Sequence, residues 1–148
     1  MTTIRPSHLG MCVTDLERSL RFYCEGLGFE AAERYDLDGA TAPGLDKALE
    51  VDGPVEMTSQ FVRLDGMAIE LLHYHSPRPT GVASRTRGQV GLTHLSFYVD
   101  DLDAATERLV RCGGTVVEGT RTAPGIELIF LADPDGVRVE LMQADATP

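Results

Sequence analysis

Apolar and polar residues alternate over HLGMCV (8–13) and again over HLSFYV (94–99). A period of two marks a strand with one buried face. In the first stretch Leu9, Met11 and Val13 share a face, opposite His8, Gly10 and Cys12. In the second, Leu95, Phe97 and Val99 oppose His94, Ser96 and Tyr98. Each strand runs into a V-x-D-L phrase, and there the period changes. Leu16, Leu20, Tyr23 and Leu27 follow Asp15 at helical spacing, and Leu102, Leu109 and Cys112 follow Asp101. Both aspartates suit helix N-caps, because a carboxylate accepts the unpaired N–H groups of a first turn. Gly28 and the pair Gly113–Gly114 suit helix ends. FEAAERY (29–35) and TVVEGTR (115–121) then read as strands, each followed by a hairpin that turns at LDG (64–66) or DPDG (133–136). The order in each copy is βαβββ.

The two copies align residue by residue. With His8 on His94, an offset of 86, Val13 falls on Val99, Asp15 on Asp101 and Gly28 on Gly114. FVRLDGMAIELL (61–72) matches FLADPDGVRVELM (130–142) at an offset of 70, which puts Glu70 on Glu140. The first copy therefore carries about sixteen extra residues, placed at 38–56 and loop-like, with one helical turn at LDKALE. The expected organisation is α+β: a first βαβββ module over 1–75, a Pro-, Gly-, Ser- and Arg-rich linker over 76–91, and a second module over 92–148. Together they form one domain.

The closing strands obey the same alternation. Ile69 and Leu71 oppose Glu70, while Val137, Val139 and Leu141 oppose Arg138, Glu140 and Met142. Each module thus sends one histidine and one glutamate to the face away from its helix. If the modules pair about a pseudo-twofold, His8, Glu70, His94 and Glu140 converge. Two neutral imidazoles and two carboxylates suit a borderline divalent ion and leave positions open for water or substrate. Without a cation the two carboxylates would repel each other. Singly, each residue has an ordinary alternative: a hydrogen-bonded structural histidine, or a glutamate facing solvent. Recurrence at matching positions favours the metal. His73 and His75 follow Glu70 closely, but His73 shares the face of Ile69 and Leu71, and both read as non-ligands.

Composition narrows the partners. The formal net charge of −10 opposes nucleic acid, whose phosphates need a basic face. The apolar runs are too short to span a membrane, and MTTIRPSH lacks the apolar stretch of a signal peptide, so the expected location is cytoplasmic. The three cysteines show no zinc-finger spacing and suit a reducing compartment.

HLGMCVTDLERSLRFYCEGLGFE, IELLHYHSP, THLSFYVDDLDAA and ADPDGVRVELMQ resemble the vicinal oxygen chelate superfamily. That superfamily includes glyoxalase I, methylmalonyl-CoA epimerase, ring-cleaving dioxygenases and bleomycin-resistance proteins. The resemblance implies paired βαβββ modules whose curved sheets form a cleft around one divalent metal (Ni, Co, Zn, Fe or Mn). It implies His8, Glu70, His94 and Glu140 as ligands. A glutamate at 70 points to the lyase and isomerase branch, closest to glyoxalase I and the epimerase. Its shared chemistry is proton transfer next to a carbonyl, with the metal stabilising an enediolate. Glu140, with Glu70 as the other candidate, is implied as the base. His8 in the first ligand position resembles the bacterial glyoxalase pattern, which favours nickel or cobalt.

Cys12, Ser96, Tyr98 and Arg138 share the ligand face, and with Tyr74 they are candidates for contact with a small-molecule substrate. Arg78, Arg85 and Arg87 in the linker could guide an acidic substrate. The insertion is a candidate lid or dimer contact, and a homodimer is expected. Two other functions remain open. One is an Fe(II) ring-cleaving dioxygenase of the extradiol type, holding iron with two histidines and Glu140. The other is a non-enzymatic protein that binds and sequesters a drug or metabolite.

Overall fold

The computed structural model describes residues 2–122, 125 and 127–144. The chain divides into two compact units, Met1–Cys24 with Gly28–Thr80 and Glu25–Leu27 with Gly81–Pro148. Each carries one four-stranded mixed sheet and the βαβββ order that the alternation predicts.

The first unit runs β1 (Leu9–Cys12), α1 (Leu16–Leu20), β2 (Glu30–Leu37), α2 (Leu45–Ala48), β3 (Glu56–Leu64) and β4 (Met67–Ser76). Its sheet order is β1-β4-β3-β2, so β4 is an inner strand with β1 parallel beside it. The second unit runs β5 (Leu95–Val99), α3 (Leu102–Arg111), β6 (Thr115–Val116), β7 (Leu128–Ala132) and β8 (Arg138–Gln143), ordered β5-β8-β7-β6. The caps form as the sequence requires. Arg18 N donates to Asp15 Oδ1, and Ala104 N donates to Asp101 Oδ1, both at 2.9 Å.

One face of each sheet is dry. Val13, Val62, Ile69 and Leu71 have no exposed surface, nor do Leu131, Val139 and Leu141. Leu102 and Leu109 of α3 are buried too. The alternation therefore assigns the core face correctly in both units.

Three details differ from the sequence reading. The first helix does not stay α-helical: after Leu20 it widens into a π segment over Arg21–Gly26. Its longer hydrogen-bonded ring lets successive side chains diverge less. Phe22 and Tyr23, adjacent in sequence, are both fully buried, and Tyr23 packs edge-on against Phe29. Gly28, at φ 88°, then ends the segment in a conformation that costs glycine nothing. The strand expected over TVVEGTR is only Thr115–Val116. Thr120 turns the chain away, its hydroxyl donating to the Val117 carbonyl at 2.6 Å. Lastly, β1 and β5 begin one residue after the histidines, which sit at the strand entrances. The helical turn expected in the insertion is present as α2.

Candidate functional site

The register decides what faces the polar side. Gly10 lies opposite Glu70 across β1 and β4, and Ser96 lies opposite Glu140 across β5 and β8. Each histidine stands two residues before that position and shares its face. In the first unit His8 Nε2 lies 3.0 Å from Glu70 Oε2, and in the second His94 Nε2 lies 3.5 Å from Glu140 Oε2. The histidine side chains keep 34% of their surface exposed, and the glutamates keep 19% and 13%, so both pairs are held yet reachable.

The surroundings also repeat. Ser7 Oγ lies 2.9 Å from His8 Nδ1, and Thr93 Oγ1 lies 2.8 Å from His94 Nδ1. A hydroxyl both donates and accepts, so it can satisfy either imidazole tautomer. With Nε2–H donating to the glutamate, Nδ1 accepts from the hydroxyl. With Nδ1–H donating to the hydroxyl, Nε2 is free to ligate a cation. Each imidazole also packs edge-on against a phenylalanine: His8 on Phe61 at 5.1 Å, and His94 on Phe130 at 5.3 Å. Phe61 pairs with Glu70, and Phe130 pairs with Glu140.

The glutamates differ in how they are held. Glu70 Oε1 accepts from Ser59 Oγ at 2.5 Å while Oε2 faces His8, so both oxygens are engaged. Glu140 Oε2 accepts from Ser96 Oγ at 2.6 Å and faces His94 as well. Its second oxygen has no partner among the described residues.

Each half-site can be tested for fit to a divalent ion. Nitrogen and carboxylate ligands bind such ions at roughly 2.0–2.2 Å. Two such ligands, at octahedral to tetrahedral angles, lie roughly 3.0–3.5 Å apart. The two observed separations fall in that window. Each half-site offers two donors, and among the described residues no three His, Cys, Asp or Glu side chains gather into a cage.

The other candidates occupy distinct places. Cys12, exposed, and Tyr74, half-buried, lie on the face of Glu70. Burial pushes the Tyr74 hydroxyl above its usual range, helped by Cys12 and Glu70. Ser96 is turned to Glu140 as its hydrogen-bond donor. Tyr98 is 75% exposed on the same face. Arg138 is half-buried beside Ala132 of β7, and burial together with Arg87 and Arg85 lowers its pKa. His73 and His75 lie on the opposite face of β4 from Glu70, with Nδ1 of His73 3.3 Å from the Val13 carbonyl and Nε2 of His75 3.0 Å from Thr58 Oγ1. Arg78 lines a hollow on that side with both of them.

Sequence reasoning missed Ser7, Thr93, Ser59, Phe61 and Phe130 as partners of the four central side chains. The first two were signalled by S-H and T-H, a hydroxyl residue before each histidine. The phenylalanine pair is hidden by the turn. DPDG is one residue longer than LDG, so a fixed offset of 70 puts Phe61 on Leu131 where the register puts it on Phe130.

Known proteins are similar to this chain over most of its length. A catechol-2,3-dioxygenase of Bacillus subtilis is 28% identical over 95% of the chain, although the chain spans only 43% of that enzyme's length. A lactoylglutathione lyase of Pseudomonas putida is 27% identical, over 93% of this chain and 83% of that one. The crystal structure of a glyoxalase family protein from Bacillus cereus superposes with a TM-score of 0.79 at 19% identity, covering 97% of this chain and 95% of the other. The family model described as Glyoxalase/Bleomycin resistance protein/Dioxygenase superfamily matches residues 5–141, and the chain belongs to that superfamily.

Proposed function

We propose that the protein is a divalent-metal-dependent lyase or isomerase of the glyoxalase I type, moving a proton at a carbon next to a carbonyl of a small molecule. The observation that carries the reading is the recurrence of one imidazole–carboxylate pair, His8–Glu70 and His94–Glu140, at ligand-like separations of 3.0 and 3.5 Å. Each pair offers the ion two ligands. The bound ion supplies Lewis-acid stabilisation of charge on the substrate oxygens.

The chain's own residues do the rest. Glu140 is the base, because among the described residues one of its oxygens is unengaged while Ser96 holds the other in place. Glu70, fixed at both oxygens, acts as a positioned ligand. Ser7 and Thr93 hold the imidazole rings in orientation, and Phe61 and Phe130 wall each ring on one side. Thr93→Val removes the Nδ1 partner at nearly constant volume. It is expected to weaken Ni²⁺ binding roughly 10–100-fold, the usual cost of losing such a supporting hydrogen bond. Calorimetric titration of Ni²⁺ into wild type and variant reads the effect.

The test of the whole reading is to load the purified chain with Ni²⁺, Co²⁺, Zn²⁺, Fe²⁺ or Mn²⁺. Methylglyoxal–thiol adducts, acyl-CoA epimers and catechols are then assayed. Turnover of an adduct or an epimer that EDTA abolishes and Ni²⁺ or Co²⁺ restores supports it. Failure to bind any divalent ion overturns it. The likeness to a catechol-2,3-dioxygenase favours one second reading, an Fe(II) ring-cleaving dioxygenase, and oxygen-dependent turnover of a catechol would establish that instead.

A further inference from the structure

β6, β7 and β8 set Thr115, Ala132 and Arg138 side by side, because Thr115 pairs with Ala132 and Ala132 pairs with Arg138. Arg138 stands two residues before Glu140, so all three lie on the sheet face that carries His94 and Glu140. Val82, Ala83 and Arg85 close over these positions and leave a hollow of about 460 Å³. Its floor is built of small groups. A Cβ at Gly136 would already come within 3.7 Å of Ala83.

Two guanidinium groups line this hollow, and a third acts on one of them. Arg138 and Arg85 line it. Arg87 ties down the loop, donating from Nη1 to the Thr93 carbonyl at 2.6 Å and from Nη2 to the Ser84 carbonyl. Thr93 is also the residue whose hydroxyl meets His94, so the loop and the half-site share one anchor. Burial disfavours the positive charge of Arg138, and so do Arg87 and Arg85. Two carboxylates line the same hollow, but Asp133 is 3% exposed and its Oδ1 is occupied by the N–H groups of Asp135 and Val137. Among the described residues none of the three arginines forms an ion pair. Two guanidinium groups with no ion-pair partner among the described residues face this concave space, and guanidinium forks match the oxygens of a carboxylate or phosphate.

We propose that this hollow binds the oxyanion group, carboxylate or phosphate, of the protein's substrate, with Arg138 as the inner contact and Arg85 as the outer one. Arg87 is a positioning residue that holds the loop to Thr93. The inference rests on the proposed function in placing the reacting carbon at Glu140. One two-residue strand repeat, roughly 7 Å, separates Arg138 from Glu140 along β8. The substrate class is therefore a small carbonyl compound that carries an oxyanion group near the carbon that exchanges its proton.

The test titrates inorganic phosphate and, separately, malonate into the full chain at low ionic strength without added metal, followed by calorimetry. Ni²⁺ uptake is measured on the same samples. One saturable anion site is expected, and the tighter of the two anions names the oxyanion type. Arg138→Gln is expected to weaken that anion at least tenfold, with Arg138→Lys intermediate and Ni²⁺ uptake unchanged. Arg85→Gln, on an exposed loop, should weaken it severalfold. Should Arg138→Gln lose its far-UV circular dichroism, Arg85→Gln carries the test. No anion binding by wild type, or unchanged binding in the folded variants, overturns the inference. Anion binding without Ni²⁺ uptake overturns the proposed metal chemistry and leaves the oxyanion site standing.

Discussion

Glu140→Gln is expected to lower turnover roughly 10²–10⁴-fold, the usual contribution of a positioned general base. The amide nearly preserves the shape of the side chain and can still accept from Ser96, now 2.6 Å away, so β8 should fold unchanged. What disappears is the carboxylate that takes the proton. Glu70→Gln should behave differently. Both oxygens of Glu70 are engaged, by Ser59 at 2.5 Å and by His8 at 3.0 Å, so its loss is felt as loss of a ligand. The expected result is Ni²⁺ affinity reduced by at least the 10–100-fold that a lost supporting bond costs, with activity recovering as metal concentration rises. Metal titration of each variant, followed by turnover at saturating metal, separates the two roles. Glu140→Gln with wild-type turnover at saturating metal would sink the assignment of the base. A three-ligand iron dioxygenase would be nearly indifferent to Glu70→Gln.

The contrast between these glutamates shows how far the sequence could be read. Alternation places His8, Glu70, His94 and Glu140 on the polar faces, because strand period is a local property and the inner strands β4 and β8 each have one dry side. The N-caps at Asp15 and Asp101 are legible for the same reason: the cap bond spans three residues. The difference between Glu70 and Glu140 is not local. Glu70 is fixed by Ser59 from β3, whereas Glu140 is held by Ser96 from β5, the position that Gly10 occupies in the first copy. Aligning the repeats shows that Gly10 and Ser96 differ, but not that another strand compensates. The π segment was hidden too, because the stripe Leu16, Leu20, Tyr23 and Leu27 reads as helical whichever hydrogen-bond ring holds it, and Phe22 lies outside that stripe. The arginine cluster joins a linker loop to a strand edge, so only the folded chain brings its members together.

Leu141→Ala and Leu71→Ala should each cost about 2–5 kcal/mol of stability. Both leucines have no exposed surface, and each lies one residue beyond its glutamate on an inner strand. Leu141 is flanked in register by Phe97 and Ile129, and Leu71 by Met11 and Gln60. Neighbours on both sides are pinned by ladder hydrogen bonds, so the cavity cannot collapse, and the upper part of the range is expected. A domain of ordinary stability has only about 5–15 kcal/mol in total, so either change removes a large share of it. Urea denaturation, read as a shift of the midpoint at constant slope, measures the cost. Tyr98→Ala is the matched control: it deletes a larger side chain that is 75% exposed, and it should stay within about 0.5 kcal/mol of wild type. Because alternate residues of one strand carry core and site, the same leucine variants should also loosen the neighbouring carboxylate and weaken Ni²⁺ binding while still folded. A core variant that loses less than about 1 kcal/mol would mean that the dry face repacks, and the rigidity assigned to the half-sites would then need another source.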